Sequence, residues 1–212
     1  MNGSSVEPER TPGGSGAPAP RHRSLYRIAS TFYLVLAVAG LLWIGVARGR
    51  IDLALFVIPA TFWIDLGSGL AVAALLLAFW WALRSVSALA RELEQLLARL
   101  VAPLTRSEAV ALALVSGLAE ELFFRGALQH AVGLFPAALV FALLHSGPGR
   151  AFRVWGLFAL AAGLAFGLLV AWRGALGGAI VAHVLVNGVN LLRLASGRSG
   201  PEGGPAAGDV KN

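Results

Sequence analysis

Long apolar stretches alternate with short polar breaks over most of this chain. Residues 28–46 are apolar almost without interruption. Comparable runs cover 66–83, a segment from Thr105 past Arg125, a shorter one opened by Gly133 and Pro136 and closing near His145, then 154–172 and 175–194. Such runs approach the ~20 residues an α-helix needs to cross the ~30 Å hydrocarbon core. The pattern predicts an all-α fold, a polytopic transmembrane helix bundle of about six spans. Residues 53–63 are apolar but short and interrupted by Pro59, so they are expected to lie at the interface, to re-enter, or to extend the next helix. Residues 85–100 follow a different rule. Val86, Leu89, Leu93, Leu96 and Leu100 recur at steps of three and four, with Arg91, Glu92, Glu94 and Arg99 between them. That is an amphipathic helix, lying on the membrane or against neighbouring helices.

Local signals mark the breaks. Thr105 followed by Glu108 fits a capping box. Ser146, Gly147, Pro148 and Gly149 form a turn by composition. Gly163 and Gly167 share a helix face and allow another helix to approach closely. Both ends are rich in Gly, Pro and Ser and cannot bury enough surface to offset chain entropy. The organisation expected is a disordered tail (1–25), N-terminal spans with the amphipathic helix (26–104), a C-terminal core of spans (105–194) and a second disordered tail (195–212).

Composition reinforces the membrane reading. The 212 residues are 57% hydrophobic and only 13% charged, against roughly 25% charged in a soluble domain. The chain has no cysteine, which excludes disulfides, thiolate metal sites and a thiol nucleophile. The net charge of +6 does not point to nucleic acid, because the arginines flank apolar runs instead of clustering on a polar domain. Arg10, Arg21, Arg23, Arg27, Arg84, Arg91, Arg99, Arg106, Arg150, Arg153, Arg193, Arg198 and Lys211 fall on one side of a six-span arrangement; Arg48, Arg50 and Arg173 fall on the other. The positive-inside rule then places both termini in the cytoplasm. The arginine-rich, nearly lysine-free composition suggests a bacterial cytoplasmic membrane.

Against this apolar background a few polar residues stand out. A charge at the centre of a span costs about 2.5–3.5 kcal/mol on insertion scales, so such residues default to function. Glu120, Glu121 and Arg125 lie together in the third run. Glu121 and Arg125 are four apart and can pair; Glu120 is rotated about 100° away and is left without a local partner. His145 closes the fourth run. His183, Asn187 and Asn190 form a polar stripe in the last one. Counting about 1.5 Å per residue from the breaks brings Glu120, His145 and His183 to within roughly two turns of one depth. Buried ion pairing and interhelical hydrogen bonding would each explain one motif alone; convergence of three at one depth is what a site requires. A carboxylate and an imidazole can hold a water and remove its proton, while a second imidazole and an amide can donate to an oxyanion. The chemistry expected is hydrolysis by an activated water. Ser107 and Ser116 lie one or more turns before Glu120, but no serine–histidine spacing favours a serine nucleophile, although spacing alone does not exclude one. A glutamate with two histidines could also be a zinc set.

The order Glu120-Glu121-x-x-x-Arg125, Phe141-x-x-x-His145, His183-x-x-x-Asn187 resembles the CAAX prenyl protease and bacteriocin-processing (CPBP, or Abi) family of intramembrane endopeptidases. The resemblance covers about 105–194, and implies a helix bundle around a membrane-embedded cavity. It also implies roles: Glu120 and His145 activate the water, His183 and Asn187 stabilise the oxyanion, Glu121 and Arg125 support the site. The partners expected are the lipid bilayer and a peptide or protein substrate, lipidated or membrane-bound, with no nucleic acid. The alternatives are a non-catalytic immunity or partner-binding protein of the same fold, or a small transporter. No cofactor is expected. A zinc site, if there were one, would use Glu120, His145 and His183. Against it, a zinc-bound histidine wants a second acceptor for its other nitrogen, and Glu121 is expected to be taken by Arg125.

Overall fold

The computed structural model describes residues 20–49 and 51–197, and every regular element among them is helical. In chain order they are α1 (Pro20–Arg48), two 3-10 turns (Leu53–Leu55 and Pro59–Thr61), α2 (Phe62–Val86), α3 (Ala88–Val101), α4 (Arg106–Glu120), a π-helical segment (Glu121–Leu128), α5 (Gln129–Val132), α6 (Leu134–Leu144), α7 (Arg150–Arg173) and α8 (Gly177–Ala195). The fold is the all-α bundle that the apolar runs predict. Helix α1 begins at Pro20, inside the segment expected to be a disordered tail; proline suits a first helical position because its missing N–H has no partner there anyway. The rest of that tail, and 198–212, lie outside the described residues.

Among the described residues, four segments are long and apolar enough to cross a membrane: Leu25–Arg48, Leu53–Val86, Arg150–Arg173 and Gly177–Ala195. The other two runs read as spans take different forms. The first is a continuous rod from Arg106 to Val132 that carries the charged motif. The second is α6, whose 11 residues rise only about 16 Å, roughly half the hydrocarbon core. Outward-facing side chains are large and apolar, with Leu75 70%, Leu144 69% and Leu157 68% exposed. No soluble fold leaves such belts in water; this is an integral membrane protein.

The 53–63 stretch resolves as a lead-in to α2. Asp52 caps its first turn by accepting from Leu55 N, and Leu55 O accepts from Leu176 N, which ties this edge to the start of α8. At the same end buried Asp65 of α2 pairs with Arg173 of α7 at 2.6 Å. The amphipathic helix α3 packs against its neighbours, with Ala90 and Leu93 fully buried. Its buried Glu94 accepts from Arg84 of α2 and Arg193 of α8, both at 3.3 Å. Ser87 caps α3 at Ala90 N, and the predicted box of Thr105 and Glu108 caps α4. Gly133, with φ of +90°, breaks the rod and turns the chain into α6.

Helix α4 lies along α8, and α1 lies along α4 and the π-helical segment. The α4–α8 approach is close at Gly117, where a Cβ would sit 2.7 Å from Val184 Cγ2 and 3.1 Å from Val184 N. That contact sets Glu120, three residues on, against the polar stripe of α8.

Candidate active site

The π-helical segment starts one residue after Glu120 and contains both Glu121 and Arg125. A π-turn widens the helix by one residue per turn and is frequent at functional sites. The expected pair is present: Arg125 Nη1 donates to Glu121 Oε1 at 3.0 Å, with both side chains buried. Arg125 also donates to Gly163 O of α7 at 3.3 Å and lies over the ring of Phe141, 4.5 Å from its centroid. Gly163 faces Ala138 and Phe141 of α6, so the small-residue face of α7 serves as the predicted close-packing surface.

Glu121 has a second partner. His183 Nδ1 stands 2.7 Å from Glu121 Oε1. A carboxylate held ionised by an arginine only accepts, so Nδ1 carries the proton and Nε2 is left free to point elsewhere. It points to Glu120, with Nε2 3.6 Å from Oε2. His145, at the C-cap of α6, is arranged in parallel. Its Nδ1 lies 2.8 Å from Phe141 O, which fixes the proton on Nδ1, and its Nε2 lies 3.7 Å from the same Glu120 Oε2. Phe166 stacks on the His183 ring at 4.9 Å, and Phe141 lies against the His145 ring at 4.2 Å, tilted by 34°.

One carboxylate oxygen therefore faces two imidazole nitrogens at distances too long for direct hydrogen bonds. Glu120 Oε2 is buried and has no hydrogen-bond partner among the described residues. Three acceptor atoms converging on one point need a donor among them, which is the requirement a water molecule meets.

Beside them lies a cavity of about 240 Å³ lined by Glu120, His145, Asn187 and Ser116, with apolar walls that include Trp80, Leu93, Trp155 and Phe158. Asn187 Nδ2 donates to Ser116 Oγ at 3.0 Å, and Ser116 in turn donates to Ala113 O. The Ser116 hydroxyl is thus engaged in orienting the amide. Asn190 also lines the cavity; His183 stands behind Glu120 and does not.

The six residues given roles by the family resemblance lie together in the structure. Glu120, Glu121 and Arg125 come from one rod, His145 from the end of α6, and His183 and Asn187 from α8. The argument against zinc from a lack of acceptors fails, because Glu121 Oε1 serves Arg125 and His183 together and Phe141 O serves His145. Among the described residues, however, no group of three or more His, Asp or Glu side chains is arranged to hold a metal ion. Ser116, one turn before Glu120 on the same helix, enters the site as the partner of the Asn187 amide, and one further residue escaped the sequence reading. Tyr33 of α1, which also lines the cavity, sits in an apolar run that carries no motif.

Comparison with known proteins places this geometry in context. Residues 102–189 match the family model for the Rce1-like type II CAAX prenyl endopeptidases, which falls within the CPBP family that the three motifs resemble. The chain is 39% identical over 80 residues to the uncharacterized protein YpbD of Bacillus subtilis (strain 168), a match covering 37% of this chain and 41% of that protein. No solved structure matches the chain.

Proposed function

We propose that this chain, whose core matches the type II CAAX prenyl endopeptidases, is an intramembrane endopeptidase that hydrolyses a peptide bond with a water activated by Glu120 and His145. The observation that carries the reading is the buried, unpartnered Glu120 Oε2 facing two imidazole nitrogens beside a cavity. A water donating toward Glu120 Oε2 keeps a lone pair for attack on a substrate carbonyl carbon. As the C–O bond forms, the water's proton passes to the Glu120–His145 pair. The carbonyl oxygen becomes an oxyanion, which the free N–H of the Asn187 amide can meet from the cavity wall. His183, its ring held by the Glu121–Arg125 pair, backs Glu120 with Nε2 turned toward the same carboxylate oxygen. The stored proton then goes to the leaving nitrogen as the C–N bond breaks, releasing a carboxylate and an amine.

The apolar cavity walls and the bilayer setting support a membrane-bound or lipidated peptide or protein as substrate. Excess arginine near one membrane face supports cytoplasmic termini in a bacterial membrane.

The test is a comparison of protein N- and C-termini in membranes of cells carrying the wild-type chain, the Glu120→Ala variant, or neither. Peptides cut only with the wild type, while Glu120→Ala inserts and purifies at the same level, are the expected outcome. Identical termini in all three would reject proteolysis and leave a binding or transport role for the same fold.

A further inference from the structure

We propose that Tyr33 is a positioning residue of this site: its hydroxyl donates to the Glu120 carboxylate and holds it toward the water that Glu120 and His145 activate. The inference rests on the hydrolytic reading above, but draws on a part of the chain, α1, outside the matched 102–189 segment.

Helix α1 presents mostly apolar side chains outward. Phe32 is 58% exposed, and Leu34 and Val35 are each 62% exposed. Tyr33, between them, is half-buried and turned inward, where it lines the same cavity as Glu120, His145 and Asn187. Its hydroxyl lies close enough to the Glu120 carboxylate across that cavity for the two to interact.

The rest of α1 explains how it reaches that depth. Tyr33, Ala37, Gly40 and Ile44 recur at steps of four, three and four, one face of a helix. At Gly40 a Cβ would lie 3.0 Å from Phe123 N and 3.1 Å from Leu122 C, so only glycine lets α1 rest directly on the π-helical backbone. Ile44 is fully buried against Gly126 in the same segment. Trp43 and Phe123 meet edge to face at 5.8 Å. The face that docks α1 on the charged motif thus carries Tyr33 two turns further, level with Ser116 and one turn from Glu120, beside the cavity all three line.

A tyrosine suits this place. Glu120 projects into an apolar cavity, where a free carboxylate would swing between rotamers. His145 and His183 approach it with acceptor nitrogens; a hydroxyl adds a protein donor beside the water. An O–H donor to an ionised carboxylate makes a short, charge-assisted bond. Losing such a bond typically lowers turnover by about 10- to 100-fold.

The chain has two tyrosines, Tyr26 and Tyr33, which makes the contact directly observable. The full chain, labelled with 3-fluorotyrosine in nanodiscs, gives two fluorine resonances, assigned with a Tyr26→Phe variant. Glu120→Gln is expected to move the Tyr33 resonance and leave Tyr26 in place; an unmoved Tyr33 resonance overturns the contact. The kinetic arm uses a synthetic peptide spanning a cleavage site found by the terminus comparison above. Tyr33→Phe is expected to lower kcat about 10- to 100-fold with KM and melting temperature unchanged. A wild-type kcat, or an effect on KM alone, overturns the role. If Glu120→Ala abolishes cleavage and Tyr33→Phe does not affect it, only the Tyr33 inference falls. If Glu120→Ala leaves cleavage intact, the protease reading falls and takes this inference with it.

Discussion

Replacing Arg125 by alanine tests how the site is built. Arg125 donates to Glu121 Oε1 and to Gly163 O, and its guanidinium lies over Phe141. Glu121 is wholly buried, so removing Arg125 leaves a carboxylate whose remaining neighbour is the His183 ring. Two magnitudes compete. A neutral interhelical hydrogen bond in a bilayer averages only about 0.6 kcal/mol. Breaking a buried ion pair from one side costs about 3–5 kcal/mol, because the partner charge stays buried and uncompensated. At about 1.4 kcal/mol per factor of ten, the second case changes the folded ratio more than a hundredfold. We expect the larger figure. In the double variant Glu121→Gln with Arg125→Met no charge is stranded. The glutamine oxygen still accepts from His183 Nδ1, and methionine fills the space beside Phe141 and Phe166 with favourable sulfur–aromatic contact. Stability should recover by more than half, whereas activity should not, since an amide can donate as well as accept and no longer fixes the His183 proton on Nδ1. Denaturant and thermal unfolding of purified protein, followed by its six tryptophans, report the first quantity, and peptide cleavage the second. A double variant no more stable than Arg125→Ala alone would refute the stranded-charge account.

Three further outcomes follow from the same geometry. Asn187→Ala should lower kcat by about 10²–10³, the usual loss for one oxyanion donor; Ser116→Ala, which removes only the amide's anchor, should cost about tenfold, and no effect would mean that something else orients Asn187. Cleavage should survive complete chelation, as the water-activated reading of Glu120 and His145 requires; loss of activity on zinc removal and its return on reloading would make Glu120, His145 and His183 ligands. Reporter fusions should place both termini in the cytoplasm, and an external C-terminus would reverse the topology drawn from the arginines.

Much of this protein can be read along the chain because the bilayer is a severe solvent. Backbone polar groups must be paired within the element itself, so an apolar run of sufficient length has to be a helix. The same severity makes Glu120, Glu121, Arg125, His145, His183 and Asn187 conspicuous, and their common depth could be counted from the breaks. The four-residue step between Glu121 and Arg125 is likewise a local property, and the pair forms as spacing requires.

Contacts between helices obey no such rule. Glu121 Oε1 serves His183 as well as Arg125 only because Gly117 lets α8 settle against α4. Spacing along one helix cannot register a partner 62 residues away. Whether α3 lies on the membrane or packs inside depended on Glu94 meeting Arg84 and Arg193 from two other helices. Tyr33 is the clearest instance. In sequence it is one aromatic residue in an apolar span, and such residues are common. It becomes part of a site because Gly40 lets α1 rest on the π-helical backbone, a proximity set by three-dimensional packing and written in no local pattern.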